Sequence, residues 1–176
     1  MSFDEKLNQW SNMMDALKDE SERGKVLVSA TFLDNQLRLI IEAFLLEDRG
    51  MKDLLEGPTA PLATFSSRTT VAYALGLIDA REKGTINAIR KIRNEFAHDI
   101  SVSLYDEKMK KHFNGLVWAI GQSTLGKYDA EQTFYLASQR IMMQLINRAD
   151  HVASARLTAR DWPHERIDFD PDYDPY

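Results

Sequence analysis

The stretch Ile86-Asn87-Ala88-Ile89-Arg90-Lys91-Ile92-Arg93-Asn94-Glu95-Phe96-Ala97-His98 allows fewer folds than any other part of this chain. Ile86, Ile89, Ile92 (or Arg93) and Phe96 return every three or four residues, the period of a helix with one buried face. Arg93, Asn94 and His98 flank that stripe. Asn94 and His98 are four apart and share a face, with Arg93 one residue round the helix. A polar trio at the edge of a core is either a hydrogen-bonded lock or a site, and the spacing leaves both open.

The same period runs through the rest of the chain. Phe3, Leu7, Trp10, Met13 or Met14 and Leu17 predict an amphipathic helix over 3–20. From Ser21 to Leu46 the most apolar segment places Leu27, Ala30, Leu33, Leu37, Ile40 or Ile41 and Phe44 for burial, which predicts a long central helix. Gly50 ends it, Met51–Leu55 is one short helical turn, and Glu56–Pro61 is a loop set by two prolines and a glycine. Ser66 or Ser67 caps the next helix, whose inner side carries Val71, Ala74 or Leu75 and Ile78. Asp79–Gly84 reads as the connection into the Ile86–His98 helix, which ends near Asp99. Asp106 caps a helix to Gly121, Leu125–Tyr128 is a break, and Asp129 caps a last long helix to about Ala155. No alternating apolar pattern bounded by turns occurs, so the expected fold is an all-α, multi-helix bundle with a long central helix.

Charge divides the chain in two. Residues 161–176 hold six acids against the single base Arg166; the chain's 22 bases and 27 acids less these leave 21 of each. Residues 1–158 are expected to form one domain, and 159–176 an acidic, proline-containing tail without regular structure. A body without net positive charge is a poor stand-alone binder of a phosphate backbone, so direct DNA binding is not expected. No apolar run approaches the length that spans a bilayer, and no signal peptide precedes the first helix. With no cysteine, thiol nucleophiles, thiolate metal sites and disulfides are excluded, and a cytoplasmic location is expected.

Catalytic patterns are sparse. His98, His112, His151 and His164 form no i, i+4 pair, so no metal site is expected. The glycines are scattered singly and build no phosphate loop, and no cofactor is implied. Glu95 precedes His98 by three residues, but a di-iron bundle needs that pattern twice. The Arg93-Asn94-x-x-x-His98 spacing resembles the Arg-x4-His motif of HEPN-type ribonucleases, small all-α and usually dimeric proteins. That resemblance implies a histidine acting as base toward a ribose 2′-hydroxyl and an arginine stabilising the phosphorane, without metal. The competing reading is a structural lock, with Arg93 and Asn94 bonded inside the bundle and His98 closing the helix end; it is favoured. A helix-turn-helix around Asp79–Gly84 fits less well, because a turn of about six residues exceeds the usual three or four. Arg90 and Lys91 read as a solvated face. Asp34 and Arg38 stand four apart, acid first, in the central helix. Arg68, placed against the dipole in a first helical turn, calls for a specific partner, and Asp34 is the candidate.

Several longer phrases carry a second resemblance: Ala30-Thr31-Phe32-Leu33-Asp34-Asn35-Gln36-Leu37-Arg38, Phe65-Ser66-Ser67-Arg68, Ala72-Tyr73-Ala74-Leu75-Gly76-Leu77-Ile78 and Ile89–His98. Over residues 20–155 the chain resembles the mannitol operon repressor (MtlR) family. The resemblance implies an all-α repressor of mannitol utilisation, lacking an evident DNA-reading motif and acting through a partner protein. No catalytic residue is then required. Asp34, Arg38, Arg68, Arg93, Asn94 and His98 are expected to form a buried polar cluster where the central helix meets the Ile86–His98 helix, and the protein to form a homo-oligomer, a dimer.

Overall fold

The computed structural model describes residues 3–124 and 126–162. Residues 1–2, Leu125, residues 163–176 and the side chains of Phe3, Asp4, Lys6, Leu7 and Gln9 lie outside the described residues, and with them two positions of the first stripe and most of the tail read from the sequence. The architecture is an all-α bundle, and no strand occurs among the described residues. The helices are α1 (Phe3–Lys18), α2 (Glu22–Phe44), α3 (Arg49–Leu55), α4 (Phe65–Ala74), α5 (Ala80–His98), α6 (Glu107–Ile120), α7 (Ala130–Leu145) and α8 (Arg148–Ala153).

The long central helix is α2. Ser21 caps it, its side chain accepting the Gly24 N–H at 3.1 Å. Val26, Ala30, Leu33, Leu37, Ile40 and Ile41 are buried along it, and α1, α4, α5, α7 and α8 all pack on it. Each of the larger side chains contributes on the order of 2 kcal/mol by leaving water. The first turn of α2 also closes the far end of α5. Arg23 donates to the carbonyls of Phe96, Asp99 (2.8 Å) and Ile100 (2.9 Å), and its guanidinium lies over the Phe96 ring. Beside it, the Glu22 carboxylate accepts the Leu104 N–H and the Ser103 hydroxyl.

Several boundaries differ from the sequence reading: α2 already ends at Phe44, and Gly50, read as its end, lies inside α3. Thr64, not Ser66 or Ser67, caps α4; Ser67 is the third helical residue and completes a reciprocal capping box. The helix stops at Ala74, because Gly76 takes φ 72° and the Leu77 N–H turns back onto the Ala72 carbonyl at 2.8 Å. Ile78 is therefore buried beyond the helix rather than along it. Asp79–Gly84 is no connection: Asp79 Oδ1 accepts from Arg81 and Glu82, Glu82 Oε2 accepts from Asp79, and α5 begins at Ala80. The Asp106 carboxylate serves Ser103 N–H instead of the first turn of α6. Finally, the last long helix is two helices, α7 and α8. Arg148 opens α8 and reaches back to the Leu77 carbonyl (2.8 Å) and to both oxygens of Glu82 (2.7 and 3.2 Å). After α8 the chain carries no helix through residue 162, and the Leu157 N–H ties it to the Phe44 carbonyl at 2.7 Å.

Candidate functional site

A cleft of about 510 Å³ opens where α2, the start of α4 and α5 meet. Asp34 faces it from α2, Thr64, Phe65 and Ser66 from the first turn of α4, and Arg90, Arg93 and Asn94 from α5. The i, i+3 and i, i+4 spacing of a helix explains why the α5 residues share that side: burial of Ile86, Ile89, Ile92 and Phe96 turns the intervening polar positions outward. Inside the bundle's edge Arg68 Nη1 donates to Asp34 Oδ1 at 2.7 Å, and Arg68 Nη2 reaches the Ala63 carbonyl at 3.3 Å. Both partners are largely shielded, with side-chain exposures of 12% for Arg68 and 28% for Asp34, so this charge-assisted bond fixes α4 on α2.

The structure brings together Asp34, Arg68, Arg93 and Asn94, but the six-residue buried cluster does not form. Arg38 turns away to Glu42 (2.8 Å) and Glu56 (3.8 Å), and Arg68 is the cation that pairs with Asp34. Arg93 is exposed and donates to the Asn94 amide oxygen at 3.2 Å. His98 is exposed as the last residue of α5, outside the cleft lining. It does not close the helix end; Arg23 does. His98→Ala is accordingly expected to shift unfolding free energy by no more than about 0.5 kcal/mol, the range of surface substitutions. Urea denaturation checks this, and a loss of several kcal/mol would restore the lock.

Past the end of α5, Asp99 is held well below the usual carboxylate range by the Ser101 hydroxyl first and the Lys108 ammonium second, at 2.7 and 2.9 Å. On α6, burial pushes the His112 imidazole below its ordinary pKa, and its Nε2 is buried without a hydrogen-bond partner, 4.0 Å from Glu95. Among the described residues no group of three His, Asp or Glu side chains is placed to hold a metal ion, and no helix is long and apolar enough to cross a membrane.

A second surface escaped the sequence reading altogether. Between α6 and α7 lie two adjoining grooves of about 530 and 300 Å³ that share Ile120, Thr124 and Tyr128. Phe113 and Tyr105 line the first, Leu136 and Met143 the second. Tyr105 and Met143 are 57% and 62% exposed, an unusual placement for large apolar groups that gather on one side. Helical periodicity could not reveal it, because the inward and outward apolar positions of α6 and α7 merge into one broad stripe.

The chain is thus a helical bundle with a polar cleft beside α4 and α5 and an apolar face on α6 and α7. No family model matches it, and no curated protein does. Among solved structures it is similar to a chain of the MtlR–HPr complex from Escherichia coli, with a TM-score of 0.53 and 19% identity over 82% of this chain and 98% of that one. At that identity the likeness is one of fold.

Proposed function

We propose that this protein is a non-catalytic regulator of the mannitol-repressor type, which acts in the cytoplasm as a homodimer and represses transcription by contact with a protein partner. The observation that carries the reading is the fold likeness to a chain solved as part of an MtlR–HPr complex, which extends over nearly all of that chain. It agrees with the residues of the α2, α4 and α5 phrases and with a body whose charges balance. The apolar face of α6 and α7 is the contact surface, and an HPr-type protein is the partner. Exposed apolar groups in a groove, rimmed by polar side chains such as Lys110 and Arg140, are the usual composition of a protein-binding patch.

The test is calorimetric titration of the purified full chain with HPr, repeated for Met143→Glu. A buried charge at the centre of such a contact is expected to weaken binding at least tenfold, about 1.4 kcal/mol, while the exposed position leaves folding stability unchanged within about 0.5 kcal/mol. Absence of HPr binding, or identical affinity in the variant, would overturn the assignment. Sedimentation of the same samples reads the dimer.

One observation favours a second reading, a metal-independent ribonuclease: Arg93 and His98 both stand open to solvent, as a nuclease would need. Labelled RNA incubated with wild type and His98→Ala separates the two. Cleavage by wild type alone makes His98 the base; no cleavage by either leaves the regulator.

A further inference from the structure

We infer that the cleft between α2, α4 and α5 binds a small molecule bearing a phosphate dianion. The argument begins with two arginines. Arg90 and Arg93 stand one turn apart on α5 and both line the cleft, and neither is ion-paired to a carboxylate among the described residues, Asp34 being paired with Arg68. Their hydrogen bonds go to neutral amide oxygens, Arg90 Nε to Asn87 at 3.3 Å and Arg93 Nη1 to Asn94 at 3.2 Å. A guanidinium carries five N–H donors in a planar fork, so most donors of each remain open. Like charges three residues apart on a helix repel, and an anion held between them removes that cost.

The remaining lining completes the chemistry. Asp34 is the acid in the cleft, and Arg68 at 2.7 Å cancels its charge, so the two α5 arginines set a local balance of plus two. That matches a phosphate or phosphomonoester near neutral pH, which carries close to two negative charges, better than a single carboxylate. Thr64 uses its hydroxyl on Ser67, which leaves the Ser66 hydroxyl facing the cleft as a further donor. Only one oxygen of Asp34 is taken by Arg68, and the other can accept from a hydroxyl of an esterified ligand. The volume, about 510 Å³, is that of a small-molecule site, and a concave cleft with two cations is not the extended basic stripe that a nucleic-acid backbone requires.

This inference rests on the cleft being a functional site, and its assay contains no protein partner, so loss of phosphate binding and loss of HPr binding are separate results. The full chain is titrated calorimetrically with inorganic phosphate and with glycerol phosphate, against sodium chloride at matched ionic strength. Phosphate stabilises most folds weakly by exclusion from the surface, so the comparison that decides is between variants. Arginine-dependent binding of at least one probe is expected, weakened tenfold or more in Arg90→Gln/Arg93→Gln and unchanged in Arg49→Gln, an exposed arginine on α3 that lines neither the cleft nor the apolar grooves. The two probes distinguish free phosphate from an ester by which binds more tightly. Should the double variant fail to fold by circular dichroism, the exposed Arg93→Gln alone is read, with at least a threefold loss expected. Binding no stronger than chloride, or equal in wild type and arginine variants, overturns the inference.

Discussion

Glu82→Ala is expected to destabilise the protein by about 3 kcal/mol, the lower end of the range for removing one partner of a buried ion pair. Glu82 is 5% exposed and works three ways: one oxygen closes the capping box on Asp79, and both bind the Arg148 guanidinium. Truncation strands that guanidinium in a partly buried position, since the Arg148 side chain is 27% exposed, and frees the Asp79 N–H at the start of α5. Arg148 also holds the Leu77 carbonyl, so the loss reaches the α4–α5 turn and the start of α8 together. Equilibrium urea unfolding reads the cost. A paired replacement, Glu82→Gln with Arg148→Met, keeps the cap and leaves no charge behind, and is expected nearer to wild type than Glu82→Ala. If the two variants are equally unstable, the ion pair is not what holds this corner.

That corner also shows what a sequence does and does not reveal. Periodicity located α2 and α5, because Leu33, Leu37, Ile40, Ile86, Ile89 and Phe96 repeat at helical spacing and burial is local in its demand. The Asp34–Arg68 pair was legible for a similar reason: a cation in a first helical turn is out of place without a partner. Glu82 and Arg148 are 66 residues apart, and nothing in either neighbourhood marks them as a pair. The reading of Asp79–Gly84 as a connection failed because the Asp79–Glu82 box starts the helix at Ala80 and carries it through Gly84. His98 misled for the opposite reason. A histidine at a helix end is a plausible cap, but Arg23, reaching from α2, supplies the donors to the carbonyls there. The cleft was half legible: Asp34, Arg93 and Asn94 were named, while Arg90 was read as a solvated face and Thr64, Phe65 and Ser66 join them only through the fold.

Gly115→Ala and Gly84→Ala are expected to move stability in opposite directions, although both place the same methyl group in a helix. At Gly115 the added Cβ would lie 2.8 Å from the Ala88 Cβ and 3.1 Å from the Gly84 carbonyl oxygen. Neither neighbour is the end of a flexible side chain, so α5 and α6 must separate. The Thr85 hydroxyl, which donates to the Gly115 carbonyl at 3.1 Å, loses its geometry with them. Overpacking of this kind costs about 1–3 kcal/mol, and the helix preference for alanine returns up to about 1 kcal/mol, for a net loss of about 1.5 kcal/mol. At Gly84 a Cβ meets nothing within 4 Å, and only the helix preference remains, a gain of about 0.5–1 kcal/mol. For a chain of this size the pair should separate in melting temperature by about 5 °C. Ala88→Gly added to Gly115→Ala removes the nearer contact, so the double variant should be more stable than the sum of its single effects. A stable Gly115→Ala protein, or no coupling to Ala88, would mean that α5 and α6 do not cross as closely as their small residues allow, and that the arginine face of α5 is less firmly placed over the cleft.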